Sequence, residues 1–218
     1  MRLYLKLTPN KSPVPFNYQE KLTGALHKWL GTNSLHDTMS LYSFSWLHGG
    51  HKTGSFLTFP NGAEWFISAW SNETIKDMIK GIQSDNEIAH GIFVREIMIR
   101  ENPDFTAMEH FKLASPVFIK RSVGKSNKYY TYNDQEAGEL LTETLKNKMN
   151  IAGISGSDFE ICFDKEYCNP KTKVITYKGI KNKANICPIR IKGNAETKAF
   201  AWCVGVGSST GIGFGALV

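Results

Sequence analysis

The spacing of hydrophobic positions changes period several times along this chain, and each change predicts an element. MRLYLKLTP alternates apolar and polar residues, as a half-buried strand does. Asn17-Tyr18-Gln19-Glu20 then reads as a capping box, with Asn17 capping a helix and Glu20 reaching back to it. Leu22, Ala25, Leu26, Trp29 and Leu30 follow at helical spacing, and Gly31 ends the run. LYSFSWL alternates again. SFLTFP and AEWFISAW flank Asn61-Gly62, which predicts a hairpin. Asn72 is placed to cap a second helix carrying Ile75, Met78, Ile79 and Ile82, and residues 88–100 predict one long strand. The order is β-α-β-β-α-β with one extra strand, the ferredoxin-like plan.

Residues 101–111 predict a linker, after which the order repeats. KLASPVFIKR and KYYTY read as strands, and Asn133-Asp134-Gln135-Glu136 as a second capping box. Leu140, Leu141, Thr144, Leu145 and Met149 form the stripe of the helix that follows. Strands are expected at 158–164, 173–178 and 185–192. Asn194 opens a short helix to about residue 204, and GFGALV closes as a strand. The expected fold class is α+β, two tandem ferredoxin-like (RRM-like) domains over residues 1–105 and 106–218. One larger α+β domain is the alternative.

Charge sharpens this picture. Lys and Arg number 26 against 20 acids in 218 residues, a surplus compatible with a polyanionic partner. Its distribution says more: Lys165, Lys171, Lys173, Lys178, Lys181, Lys183, Arg190 and Lys192 face only Glu166 as an acid over that stretch. Such a hairpin is either a solvated edge guarded by lysines or a groove for a nucleic-acid backbone. The lysines interleave with Tyr167, Ile175 and Tyr177, which offer stacking surfaces and favour the groove. Cys162, Cys168, Cys187 and Cys203 form no C-x-x-C pair and are expected to be free, mostly buried thiols. The apolar runs are too short to cross a bilayer, and MRLYLKLTPN has no signal-peptide core, so a cytoplasmic protein without membrane contact is expected.

The last fourteen residues, GVGSSTGIGFGALV, include five glycines. They lack both G-x-x-x-x-G-K and G-x-G-x-x-G, which excludes a nucleotide-hydrolysing P-loop and disfavours a dinucleotide site. His48 and His51 lie in a glycine-rich loop with no third ligand in view, so neither a metal nor a cofactor is expected. His27, near the end of the first helix, and His36, in SLHD, remain. Each alone reads as a capping or surface residue. Two converging on one cleft could handle protons near neutral pH. RNA brings its own nucleophile, the 2′-OH, so two such groups suffice to cleave it.

VPFNYQEKLTGALHKWL, SLHD and SLYSFSWLHG resemble the N-terminal part of the CRISPR repeat-RNA endoribonucleases, the Cas-six type of the RAMP superfamily. The C-terminal match is sharper: Gly205-Val206-Gly207, five residues, then Gly213-Phe214-Gly215, the family's two Gly-hydrophobic-Gly triplets. The resemblance implies cleavage of CRISPR precursor RNA within each repeat, without metal, leaving a 2′,3′-cyclic phosphate and a 5′-OH. The alternative is a non-catalytic repeat-RNA-binding subunit of a CRISPR effector complex. By the same resemblance His36 matches the usual catalytic histidine, and His27 the position of a second proton-handling group. Many members carry a lysine shortly after that histidine. Thr38-Met39-Ser40 stands there instead, leaving His27, Lys28 or Lys52 to supply positive charge. RNA is expected against Lys173, Lys178, Lys181 and Lys183 and against the loop of Gly205, Gly207, Gly211, Gly213 and Gly215. The competing reading is that the glycines only permit close packing. CRISPR repeat RNA and other CRISPR effector subunits are the expected partners, with the chain a monomer or homodimer.

Overall fold

The computed structural model describes residues 1–31, 39–124, 126–155 and 158–218. Its first half contains β1 (Arg2–Leu7), β2 (Val14–Pro15), α1 (Gln19–Leu30), β3 (Tyr42–Phe44), β4 (His51–Thr53), β5 (Phe56–Thr58), β6 (Glu64–Ala69), α2 (Asn72–Ser84), β7 (Glu87–Ala89) and β8 (Ile92–Arg100). The main sheet has the order β3-β6-β1-β8-β7, and every pair in it is antiparallel. Without the short β7 this is the ferredoxin-like order. Alternation in β1 puts Leu3, Leu5 and Leu7 on the face that meets Leu22, Leu26 and Trp29 of α1 and Ile75, Met78 and Ile82 of α2, forming one core.

The second half contains β9 (His110–Phe111), β10 (Ile119–Val123), β11 (Ser126–Tyr130), α3 (Ala137–Ile151), β12 (Glu160–Phe163), β13 (Lys171–Tyr177), β14 (Ile180–Ile186), β15 (Ile189–Lys192), α4 (Ala195–Val204) and a 3-10 turn at Thr210–Ile212. Its sheet runs β12-β15-β9. Residues 216–218 take the fourth position, exchanging backbone bonds with 112–114 and bridging Leu113 to Leu217. The plan is again ferredoxin-like, with two separate hairpins, β10-β11 and β13-β14, added to it. A second core gathers Leu141 and Leu145 of α3, Ile161, Ile189 and Ile191 of the sheet, and Phe200 and Val204 of α4. No described helix is long and apolar enough to cross a membrane.

Several local expectations are corrected. Neither capping box forms: α1 and α3 begin after Tyr18 and Glu136 with no side-chain cap. Glu20 instead accepts the backbone N–H of Lys178, and Asp134 accepts both the N–H and hydroxyl of Thr131 at 2.6 and 2.9 Å. Ser71 rather than Asn72 caps α2, while Asn194 does cap α4. Asn61-Gly62 joins no hairpin, because β5 pairs with β2 and β4 while β6 pairs with β1 and β3. The long strand at 88–100 is a hairpin, broken at His90-Gly91 where both residues have positive φ. The 101–111 linker ends in β9. The closing strand is cut to a few residues because Gly213 and Gly215, at φ of 90° and 67°, turn out of extended geometry. Of the thiols, Cys187 and Cys203 are buried, Cys162 is half-buried and Cys168 is exposed, all unpaired.

The two halves meet on the far face of the first sheet, where Arg2 is fully buried. Its guanidinium lies 3.8 Å from the Phe66 ring centre and 3.3 Å from that of Trp202. It donates to Ser68 Oγ at 2.6 Å, Trp202 O at 3.2 Å and Leu217 O at 2.8 Å. Burial lowers its pKa to about 10, so it remains charged at neutral pH. Ser43 adds a bond to Cys203 O at 3.0 Å.

Candidate functional site

His27 projects from the last full turn of α1 to within 3.5 Å of the Tyr42 hydroxyl on β3, measured from Nε2. Tyr42 is 4 % exposed. Burial raises its pKa and the nearby Tyr177 adds to this, while a hydrogen bond with Ser40 opposes both. The phenol therefore stays protonated at neutral pH and can donate to an imidazole or to a departing oxygen. Tyr177 comes from the end of β13, whose hairpin tip is held to α1 by the Lys178–Glu20 bond. One small region thus gathers an imidazole, a phenol, a serine hydroxyl and the tip of the basic hairpin. His36, expected to be the principal acid–base residue, lies outside the described residues.

The glycine loop closes over the same region. All five glycines are buried. A Cβ on Gly211 would overlap Ser40 Oγ, and one on Gly213 would sit 2.8 Å from the Phe44 ring. Gly213 O accepts from Gln19 Nε2 at 3.2 Å and Trp46 Nε1 at 3.1 Å, which locks the loop onto the first domain. The most accessible part of the loop is its crest, the half-buried Ser208 and the exposed Ser209, with Ile212 also half-buried.

The expected lysines do not form one row. Lys173, itself exposed, places its ammonium 4.9 Å from the Trp46 ring centre. Lys181 and Lys183 alternate onto the opposite, exposed face opposite Thr176 and Val174. Lys178 occupies the turn at φ 46°. Lys28 is paired with Asp85 at 2.8 Å and bonds Glu87 O at 2.7 Å. Lys52 stands exposed on β4, in the small sheet with β5 and β2.

Three residues around the site are ones that the sequence reading does not single out. Tyr42 and Trp46 lie in an alternating strand where an aromatic reads as core. Lys148 is 2 % exposed on α3. Its ammonium donates to Val204 O at 3.0 Å, Gly205 O at 3.4 Å and Thr210 Oγ1 at 2.8 Å, which pins both ends of the loop's first turn. Burial pulls its pKa down to about 7. For this lysine a signal is present: Leu141, Leu145 and Lys148 fall at helical spacing, so it occupies a stripe position.

The family description "CRISPR associated protein Cas6, C-terminal" matches residues 100–218. A solved structure described as "CRISPR associated protein Cas6" superposes with a TM-score of 0.83 at 22 % identity, covering 100 % of this chain and 98 % of its own. A structure of a Cas6-related protein from Pyrococcus furiosus gives 0.84 at 20 % identity, covering 100 % and 97 %. One described as "An RAMP protein binding different RNA substrates" gives 0.82 at 18 % identity, covering 100 % and 98 %. At these identities the likeness establishes the shared fold of tandem ferredoxin-like domains. No curated protein matches the sequence.

Proposed function

Because the chain belongs to the CRISPR associated protein Cas6 family by the match over residues 100–218, we propose that it is a metal-independent endoribonuclease that cuts CRISPR precursor RNA within its repeats. Family membership and the RAMP-type fold support a general role in processing or binding CRISPR repeat RNA. The observation that carries the catalytic reading is the His27–Tyr42 pair, 3.5 Å apart, beside the glycine loop and the basic hairpin tip.

In this reaction His36 takes the proton of the 2′-OH. The freed oxygen attacks the adjacent phosphorus, the bond to the 5′ oxygen breaks, and a 2′,3′-cyclic phosphate forms. His27, with Tyr42 beside it, returns a proton to the departing oxygen, which leaves as a 5′-OH. Atoms and charge balance without another reagent, and the products are guide RNAs. Lys173, Lys178, Lys181 and Lys183 hold the backbone. The glycines shape the loop, whose crest at Ser208 and Ser209 meets the RNA.

A repeat-RNA-binding subunit without cleavage is the second reading. It is favoured by Lys28, whose charge is already engaged by Asp85 at 2.8 Å. Incubation with a repeat transcript in excess EDTA separates the two. Cleavage should persist in EDTA and vanish when a single 2′-deoxy nucleotide occupies the cut site. Loss of cleavage on chelation, or cutting of the deoxy substrate, would sink the proposed chemistry. Binding without cutting of the all-ribose transcript would establish the second reading.

A further inference from the structure

We propose that the pocket between the glycine loop and the β10–α3 face seats one phosphate group of the bound RNA, with the Lys148 ammonium as its buried counter-charge. The inference rests on the RNA-processing reading and deepens it. The pocket holds about 410 Å³, with Lys120 and Arg121 of β10 on one side, Ser208 and Ser209 on the other, and Ser40 at its edge. Lys148 lines it from within, yet is 2 % exposed.

Among the described residues, the three partners of the Lys148 ammonium are all uncharged: two carbonyls and the Thr210 hydroxyl. The charged groups that share its pocket are Lys120 and Arg121 from β10 and Glu143 from α3. Glu143 is engaged by Arg121 at 3.0 Å. The loop side is lined by Gly207, Ser208, Ser209 and Thr210, none of them charged. The site therefore carries a surplus of positive charge, on the buried Lys148 and the exposed Lys120, that an anion would balance, while Lys148 keeps the loop in place to receive it. Lys148 acts here as a positioning residue, through the loop and through its field.

Proton linkage gives this arrangement a signature. In the free protein burial holds Lys148 near 7. A phosphate beside it favours the charged form and raises that value. Binding above pH 7 should then take up protons, and RNA affinity should fall by up to about tenfold per pH unit there. The RNA-free protein should show the opposite trend. Its unfolded chain keeps this proton up to the ordinary value of 10.5, so stability rises between about pH 7 and that value.

The test is calorimetric titration of a CRISPR repeat transcript into the protein at about pH 8, in two buffers of different ionisation enthalpy. Wild type should take up a fraction of a proton, and Lys148→Met should lose that uptake. Lys146→Ala, on the same helix, should keep it. Should Lys148→Met fail to fold, Ser208→Asp serves in its place: a carboxylate at the pocket mouth should cut both affinity and uptake while leaving the melting temperature unchanged. RNA binding without uptake, or with undiminished uptake in Lys148→Met or Ser208→Asp, would overturn the phosphate site and leave the endoribonuclease reading standing. No RNA binding at all would overturn both.

Discussion

Replacing Tyr42 by phenylalanine deletes one oxygen and leaves the ring in the first core. Burial keeps that hydroxyl protonated, so the variant removes a proton donor beside His27 without removing charge. Single-turnover cleavage should slow by about tenfold or more, with RNA affinity changed by less than about 1 kcal/mol. His36→Ala should slow cleavage by about 10²–10⁴-fold, the range for a positioned acid or base, again with little change in affinity. Cleavage by His36→Ala at the wild-type rate would place the catalytic centre elsewhere. At this scale the sequence is legible unevenly. His27 stands out because an imidazole near a helix end has a chemistry to offer. Tyr42 does not, because an aromatic in an alternating strand has a sufficient explanation as core. The two capping boxes fail for a related reason. A capping box is a local bond, and both acids find other partners: Glu20 in a hairpin 158 residues away, and Glu136 in Lys128 at 3.9 Å.

The β13-β14 hairpin shows what strand geometry adds to a run of lysines. Register pairs Lys183 with Val174 and Lys181 with Thr176 on the outer face, while Lys173 lies opposite Ala184 on the other face with its ammonium over Trp46. An RNA backbone following the outer face would meet Lys181 and Lys183 together. Lys181→Ala with Lys183→Ala should weaken binding and flatten its salt dependence by about 0.7 in slope for each lysine–phosphate pairing removed. Lys173→Ala should flatten the slope less, because its charge is partly taken up by the indole. Equal slopes in wild type and the double variant would return the outer face to a solvated edge. The basic hairpin is legible from its charge run; its two faces require the register. The glycine loop is legible as a motif, but the burial of its glycines is not. Glycine spacing is the same whether the missing side chains make room for a ligand or, as at Gly213 against Phe44, for the protein itself.

Across the whole molecule, repeated switching between strand and helix periods discloses the α+β plan. How the two halves are joined is hidden, because Arg2 in an alternating strand reads as a solvent-facing charge. The sheet is covered on both faces, and the guanidinium ends between Phe66 and Trp202. Arg2→Met keeps most of the packed stem but strands Trp202 O and Leu217 O without their donor. It should destabilise the protein by about 3 kcal/mol in denaturant unfolding. Arg2→Lys should recover little of this, since an ammonium cannot match the flat fork that reaches both carbonyls and stacks between rings. Unchanged stability in Arg2→Met would mean that the halves are held by other contacts. The bond from Arg2 to Leu217 spans 215 positions, and it sets an order of events during synthesis. Arg2 leaves the ribosome 215 residues ahead of the partner it bonds. Until then the first sheet exposes a cation and an aromatic surface meant for the inside. Contacts of such long sequence separation slow folding. The nascent first domain should therefore need chaperone protection until Leu217 has emerged, and ribosomes stalled before that point should hold it in that state.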